Sequence, residues 1–124
     1  MMHHMKLGPL LVMTPDMDAA ERFYRDALGL RLAGRFDGHL VFDLGGAPLH
    51  VFRCERAAPA GDHGRVGGSV ITFEVPSIDQ ATQTLKAKGV TFLHETPAVN
   101  PDARFHYAAF DAPGGNVHEL VESF

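Results

Sequence analysis

The chain has 124 residues, a length that suits one compact domain or two small modules with a shared core. Hydrophobic residues make up 45% and charged residues 21%, a globular balance, and the net charge of −4 argues against a nucleic-acid-binding protein. No apolar run approaches the roughly 18 residues that a membrane span needs, and the N-terminus lacks the features of a secretory signal. We therefore expect neither a nucleic acid nor a membrane as partner.

The first half of the chain predicts one helix and four strands. An apolar run over 7–13 has the length of a strand, and Asp16 follows in a typical helix start. Apolar residues at helical spacing predict a helix over 17–28, which Gly29 would end. Glycine-containing turns then separate three short predicted strands over 30–33, 39–44 and 48–54.

The second half predicts the same order of elements. Segment 55–68 is rich in alanine, glycine, proline and charge and is interpreted as a linker. A strand over 70–75 precedes a helix that Ser77 would cap and Gly89 would end. The remaining elements are predicted as strands over 90–94, 104–110 and 116–122, with a loop over 96–102.

A sequence repeat relates the two halves. The Phe-Asp pair at Phe42 recurs at Phe110, and the Gly-Gly pair at Gly45 recurs at Gly114, followed each time by an apolar segment. A repeat of this length usually indicates two copies of one supersecondary unit packed together. The seam between the copies is then a natural place for a pocket.

The repeat predicts an α+β fold in a single domain over 1–124. Its two βαβββ modules are expected at about 7–54 and 69–122, joined by the linker 55–68. We expect them to form a curved, mostly antiparallel sheet with the helices on the convex face, so that the concave face is left for a ligand.

Strand alternation predicts which side chains point into that concave face. His50 and Phe52 share one face of their strand, and Glu119 points away from His118 in the last strand. Aligning the repeats places His50 and Glu119 at matching positions. Because a buried Glu without a partner is costly, our hypothesis is that His50 and Glu119 pair across the pocket.

Two segments resemble one known family. Residues 16–30 carry an acidic start followed by Phe-Tyr and Leu-Gly, and residues 111–120 carry Asp-Ala-Pro-Gly-Gly-Asn followed by Glu-Leu. With these motifs the chain resembles, over about 7–121, the vicinal oxygen chelate superfamily, which includes glyoxalase I, bleomycin-resistance proteins and extradiol dioxygenases. The resemblance implies a fold that hosts several functions, and it implies a homodimer.

The resemblance also implies four metal-ligand positions, on the first and last strand of each module. Here they fall on Pro9 (or its neighbour Leu10), His50, Val70 and Glu119. Proline and valine have no donor side chain, and a catalytic metal normally keeps about three protein ligands. No cofactor is therefore favoured, and a divalent metal held by His50 and Glu119 is the alternative.

Other histidines offer a possible further ligand. His106 lies in a predicted strand of the second module and is the best candidate. The remaining ones are interpreted as solvated or hydrogen-bonded side chains: His39, His63, His94 and His118. His3 and His4 receive no functional weight, and the single cysteine, Cys54, cannot form an internal disulfide, which favours a reducing, cytoplasmic location.

Two function classes follow. The first is a metal-independent binding protein of glyoxalase/bleomycin-resistance type for a small, partly aromatic molecule, with ligand-binding residues His50, Phe52, His106 and Glu119. The second is a metal-dependent lyase, isomerase or dioxygenase that uses His50, Glu119 and a further ligand such as His106. Glu119 is the best catalytic candidate. Aromatic residues that could line the pocket are Phe52, Phe73, Phe105, Tyr107 and Phe110.

Overall fold

The computed structural model describes residues 5–59, 63–65 and 67–124. The chain divides into two compact units, Met1–Glu55 and Arg56–Phe124. His3 and His4 lie outside the described residues. Within the part of the chain that is described, no helix is long and apolar enough to cross a membrane.

The first unit is a βαβββ module, as predicted. Its elements are β1 (Leu10–Thr14), α1 (Met17–Glu21) with a π-helical continuation (Arg22–Ala27), β2 (Arg31–Phe36), β3 (His39–Asp43) and β4 (Pro48–Arg53). The strand order is β1-β4-β3-β2. The β1–β4 pair is parallel and the other neighbours are antiparallel.

The helix of this module begins and ends where the sequence indicates. The Asp16 side chain accepts a hydrogen bond from the Ala19 backbone N–H at 3.0 Å, which caps the first turn. The last turn widens into a π-helix, in which the Leu28 N–H donates to the Phe23 carbonyl. Gly29 ends it with φ of 75°, a conformation that glycine adopts without steric cost.

Packing of the helix gives the two faces of this sheet different roles. The fully buried Tyr24 ring lies 5.6 Å from the buried ring of Phe42 in β3, and burial raises the pKa of Tyr24. Leu49 and Val51 of β4 are buried on the same side. We call this the helix-proximal face and the opposite one the helix-distal face.

The second unit repeats the βαβββ order. Its elements are β5 (Ile71–Glu74), α2 (Ile78–Ala87), β6 (Ala98–Asn100), β7 (Phe105–Ala112) and β8 (Asn116–Ser123). The strand order is β5-β8-β7-β6, again with one parallel pair, β5–β8. The α+β class and the two mostly antiparallel βαβββ modules are thus confirmed.

The edge of the second sheet differs from the prediction. The strand predicted over 90–94 is reduced to a single bridge between Phe92 and Phe110. The regular edge strand is β6, inside the segment predicted as a loop. Val90 of this run is buried, at 7% exposed, without joining a strand, whereas the prolines on either side of β6 are typical of a short edge strand.

The second helix packs on β7 and β8. Ser77 caps it by accepting from the Gln80 N–H, as predicted, and the Ile78 N–H donates to the Glu122 carboxylate at 2.7 Å. Phe110 is fully buried in the core beneath the helix. The helix-proximal face of this sheet is therefore the one that carries Glu122 and Phe110.

Candidate functional site

Four rings stack on the helix-distal face of the first sheet. They come from three neighbouring strands, and we call them the ring array: Phe36, His39, His50 and Phe52. His39 and Phe52 are direct partners in the β3–β4 register, and their centroids lie 4.1 Å apart with the planes at 11°. Phe36 stacks on the other side of His39 at 5.4 Å. Cross-strand pairing therefore builds a continuous stack of rings across the three strands.

A hydrogen bond joins the two imidazoles of the array. His39 Nε2 and His50 Nδ1 lie 2.8 Å apart in a half-buried position. One of these nitrogens donates a proton and the other accepts it, because a neutral imidazole has one of each kind. His39 is thus a hydrogen-bonded side chain, as predicted, and His50 has a partner within its own module.

Apolar side chains of β1 lie beside the ring array on the same face, and the array itself ends in the exposed Phe36. Leu11 and Met13 of β1 are 53% and 47% exposed, and Phe36 at the other edge is 61% exposed. Leu11 is the direct strand partner of His50, and Met13 that of Phe52. Exposed apolar side chains that form one contiguous surface are typical of a ligand or protein contact.

The helix-distal face of the second sheet carries a hydrogen-bonded pair of an imidazole and a carboxylate instead of stacked rings. Glu119 of β8 lies opposite Thr72 of β5 and Ala109 of β7. Its Oε2 lies 2.9 Å from Nε2 of His63, and each of the two side chains is only 15% exposed. Glu119 thus has an imidazole partner from the predicted linker, while the pairing of Glu119 with His50 stays a prediction.

The strand register separates His106 from Glu119. Ala109 is the direct partner of Glu119, so the side chains of Phe105 and Tyr107 share its face by alternation. His106 points to the opposite, helix-proximal face, where its ring lies 5.0 Å from Phe124. The sheet therefore does not bring these two predicted ligands together.

Two of the predicted pocket aromatics, Phe73 and Phe110, do not lie on the face of Glu119, and Phe110 belongs to the core. Phe110 lies 5.5 Å from Phe92 and 6.4 Å from Phe73, all centroid to centroid, on the helix-proximal side. His118 packs edge-on against Phe73 and Phe110 and is 2% exposed, so it points away from Glu119 as predicted. Burial lowers the pKa of His118 to about 4, and the imidazole is neutral near pH 7.

A divalent cation needs a set of donor side chains that two of the four family positions lack. Pro9 and Val70 stand one residue before β1 and β5 and offer no donor side chain. Among the described residues, no group of three His, Cys, Asp or Glu side chains could hold a metal ion. The residues do not fit a catalytic metal, which needs about three protein ligands.

Two histidines, His39 and His63, lie on these faces although the sequence pattern does not single them out as site residues. His39 stands in the same alternation as His50 and Phe52 once β3 and β4 are paired, so the hairpin register could have placed it there. His63 comes from a segment without strand or helix periodicity. No local signal could have assigned His63 to Glu119.

The family model that matches the chain and the solved structure described below belong to the same family. Residues 6–120 match the family model of the Glyoxalase/Bleomycin resistance protein/Dioxygenase superfamily. Among curated proteins, none matches the chain. A solved glyoxalase/bleomycin resistance protein/dioxygenase from Nocardioides is 26% identical, with a TM-score of 0.76, over 100% of this chain and 87% of its own.

Two further solved structures share the fold. A lactoylglutathione lyase from Agrobacterium tumefaciens is 24% identical, with a TM-score of 0.73, over 98% of this chain and 96% of its own. An integron cassette protein from V. Cholerae is 18% identical, with a TM-score of 0.73, over 98% of each chain. At these identities the likeness establishes the fold alone.

Proposed function

Because the chain belongs to the Glyoxalase/Bleomycin resistance protein/Dioxygenase superfamily, we propose that it is a metal-independent binding protein for a small, partly aromatic molecule. The observation that carries this proposal is the ring array on the helix-distal face of the first module. Its planes lie within 27° of one another in each stacked pair. A planar ligand extends such a stack.

Binding by this surface has a clear physical basis. Phe36 exposes more than half of its surface, so a ligand ring that covers it removes apolar area from water. Stacked aromatic pairs contribute about 0.5–1.5 kcal/mol beyond that burial. Leu11 and Met13 extend the apolar contact beside the rings, and the polar nitrogens of His39 and His50 supply orientation.

The second module supports metal independence. The Glu119 carboxylate occupies a family ligand position, yet it is paired with the His63 imidazole at 2.9 Å. A cation at Glu119 would have to break this largely buried hydrogen bond. The neighbouring family position, Val70, would add no donor. The hydrogen bond between His63 and Glu119 therefore supports the metal-free proposal.

The metal content of the purified protein distinguishes the metal-dependent alternative from this proposal. A lyase, isomerase or dioxygenase that uses His50 and Glu119 needs a stoichiometric cation, and Glu119→Ala would remove it. We expect the purified protein to contain no stoichiometric divalent metal and to keep its stability in a chelator. Stoichiometric metal that is lost in Glu119→Ala would overturn the metal-independent proposal.

Ligand binding is tested with a neutral planar probe, 2-naphthamide, by isothermal titration calorimetry in the presence of EDTA. We expect binding to the wild-type protein and roughly three- to tenfold weaker binding to Phe36→Leu and to Phe52→Leu, because each variant loses a stacking ring. The matched control is Phe124→Leu, an exposed phenylalanine of the second module that is outside the ring array. It should bind the probe like the wild type.

A wild-type protein that does not bind the probe, or equal losses in all three Phe→Leu variants, would contradict a site at the ring array. Mass spectrometry of small molecules that co-purify with the protein would identify the natural ligand. The expected homodimer and cytoplasmic location stay predictions, which size-exclusion chromatography with light scattering and cell fractionation would check.

A further inference from the structure

We propose that a cavity beside the ring array binds the polar end of the ligand, and that its Arg31–Asp43 pair selects an uncharged carboxamide over an ester or a carboxylate. The proposal rests on the proposed function and adds the chemical class of the ligand. Its basis is a cavity of about 290 Å³ in the first module, in which one lining side chain donates hydrogen bonds and its neighbour accepts them.

The cavity lies next to the ring array on the helix-distal face. Its lining includes Val41 and Asp43 of β3 and Pro48 of β4. By strand alternation, Val41 and Asp43 share the face of His39, and Pro48 shares the face of His50. Val41 is the direct strand partner of His50, so the cavity begins beside the array. A ring that contacts the array can carry a substituent into the cavity, since two residues of a strand span only about 7 Å.

Small residues keep the cavity open. The register of β2 against β3 shifts between Leu32 and Gly34, which leaves Ala33 without a strand partner. Ala33 lines the cavity on one strand, and Gly45 and Gly46 line it in the β3–β4 turn. A Cβ added at either of these two glycines would meet no atom within 4 Å. The turn therefore leaves room for a ligand group.

The Arg31–Asp43 pair joins β2 to β3 in the wall of the cavity. Nη2 of Arg31 donates to Oδ2 of Asp43 at 2.6 Å, and the Gly45 N–H donates to Oδ1 of the same carboxylate at 2.8 Å. The hydrogen bond from Arg31 lowers the pKa of Asp43, so the carboxylate is charged at pH 7. Among the described residues, Asp43 is the only partner of the Arg31 guanidinium, whose other N–H groups are available to a ligand.

The pair matches a neutral group that both accepts and donates hydrogen bonds. Each oxygen of the Asp43 carboxylate has a second lone pair, and Arg31 keeps N–H donors. A primary carboxamide can accept from Arg31 through its carbonyl oxygen and donate to Asp43 through its N–H group. An ester lacks the donor. A carboxylate also lacks it and is repelled by the charge of Asp43, while the two charges of the pair offset each other and leave no net attraction for an anion.

The experiment compares three probes with the same ring: 2-naphthamide, methyl 2-naphthoate and 2-naphthoate. Each is titrated with the full chain at pH 7 in EDTA, and binding is followed by the naphthyl fluorescence, since the chain has no tryptophan. We expect 2-naphthamide to bind most tightly and the ester to bind roughly two- to tenfold more weakly, because the ester loses one hydrogen bond. The 2-naphthoate anion should bind at least as weakly as the ester.

Substitutions in the pair separate its two roles. Asp43→Asn keeps an oxygen for the Gly45 N–H but offers an amide N–H in place of the second oxygen, so the preference for the amide over the ester should fall to about one. Arg31→Gln should weaken the amide and the ester by a common factor of roughly two to ten, since both lose the guanidinium donor. Arg53→Gln is the matched control, because Arg53 pairs with Asp37 at the other end of β3. It should change neither quantity.

The outcomes separate this proposal from the proposed function. Absence of binding for all three probes would overturn the proposed function and this proposal with it. Binding of 2-naphthamide that is no tighter than binding of the ester or of 2-naphthoate would overturn only the selection of a carboxamide. A preference for the amide that survives in Asp43→Asn, or that Arg53→Gln removes equally, would assign it to another group and would also overturn the proposal.

Discussion

The two helix-distal faces have the same frame and different chemistry. β4 and β8 are matched strands of the repeat, and His50 in the first stands where Glu119 stands in the second. His50 belongs to a stack of rings with exposed apolar neighbours, whereas Glu119 is held in a largely buried pair with His63. The comparison shows that the two modules share their strand order and buried aromatic core, whereas the side chains on their helix-distal faces differ.

The largest expected effect is the loss of stability when a core phenylalanine is truncated. It tests whether the two cores contribute equally to the free energy of unfolding. Phe42 and Phe110 are repeat-related, and both rings are fully buried on the helix-proximal faces. Each Phe→Ala variant should lower the free energy of unfolding by about 3–5 kcal/mol, because a large cavity is left. Urea denaturation followed by circular dichroism measures the loss in each module.

An exposed phenylalanine supplies the control for both core variants. Phe36→Ala should change the free energy of unfolding by less than about 1 kcal/mol, since that ring is 61% exposed. Losses that differ by more than twofold between Phe42→Ala and Phe110→Ala would break the equivalence of the two cores.

The next effect concerns a position where the cores differ. Leu49 of the first module corresponds to His118 of the second, and both are buried. Burial depresses the pKa of His118 to about 4 from the ordinary value near 6.5, so the unfolded chain binds this proton more tightly than the folded one. The stabilisation is therefore fully present above about pH 6.5, declines as the pH falls towards 4, and is lost below it.

His118→Leu gives the second module the residue of the first and should remove this acid sensitivity. Between pH 7 and pH 4 the wild type should lose roughly 3 kcal/mol more than the variant in the free energy of unfolding. A hydrogen bond from Arg35 lowers the pKa of Glu21, and one from Arg31 lowers the pKa of Asp43, but both proteins share these groups, so their effect cancels in the difference. Parallel pH profiles for the two proteins would contradict a neutral, buried His118.

Features that depend on local periodicity could be predicted from the sequence alone. Helix starts at Asp16 and Ser77, helix ends at Gly29 and Gly89, and the facing of strand residues such as His50 and His118 all follow from spacing and cap chemistry. Each is decided within a few residues of chain, and the repeat supplies a second, independent copy of the same evidence.

Features that depend on long-range pairing could not be predicted in this way. The face of His106 is fixed by which residue of β8 lies opposite it, and that register is a tertiary property. The short strand β6 forms because β7 offers an edge for it, although its own sequence resembles a loop. His63 reaches Glu119 across 56 positions, a contact without a local signal.

The smallest effect isolates the contact between the linker and the second module. The Ala58 N–H donates to the Gly114 carbonyl at 2.9 Å, and a Cβ added at Gly115 would clash with the Ala58 carbonyl oxygen. Gly45, in the matching turn of the first module, has a similar φ of 85° and open space around it. Comparing alanine at the two glycines therefore separates the cost of the backbone conformation from the cost of the linker contact.

Gly45→Ala should lower the free energy of unfolding by about 1 kcal/mol, since alanine at positive φ is strained. Gly115→Ala should cost at least about 1 kcal/mol more, because the backbone of the linker must move. Thermal denaturation of both variants measures the difference, and limited proteolysis shows whether Gly115→Ala exposes the linker. Equal losses in the two variants, with unchanged proteolysis, would mean that the Ala58 backbone does not pack on the β7–β8 turn.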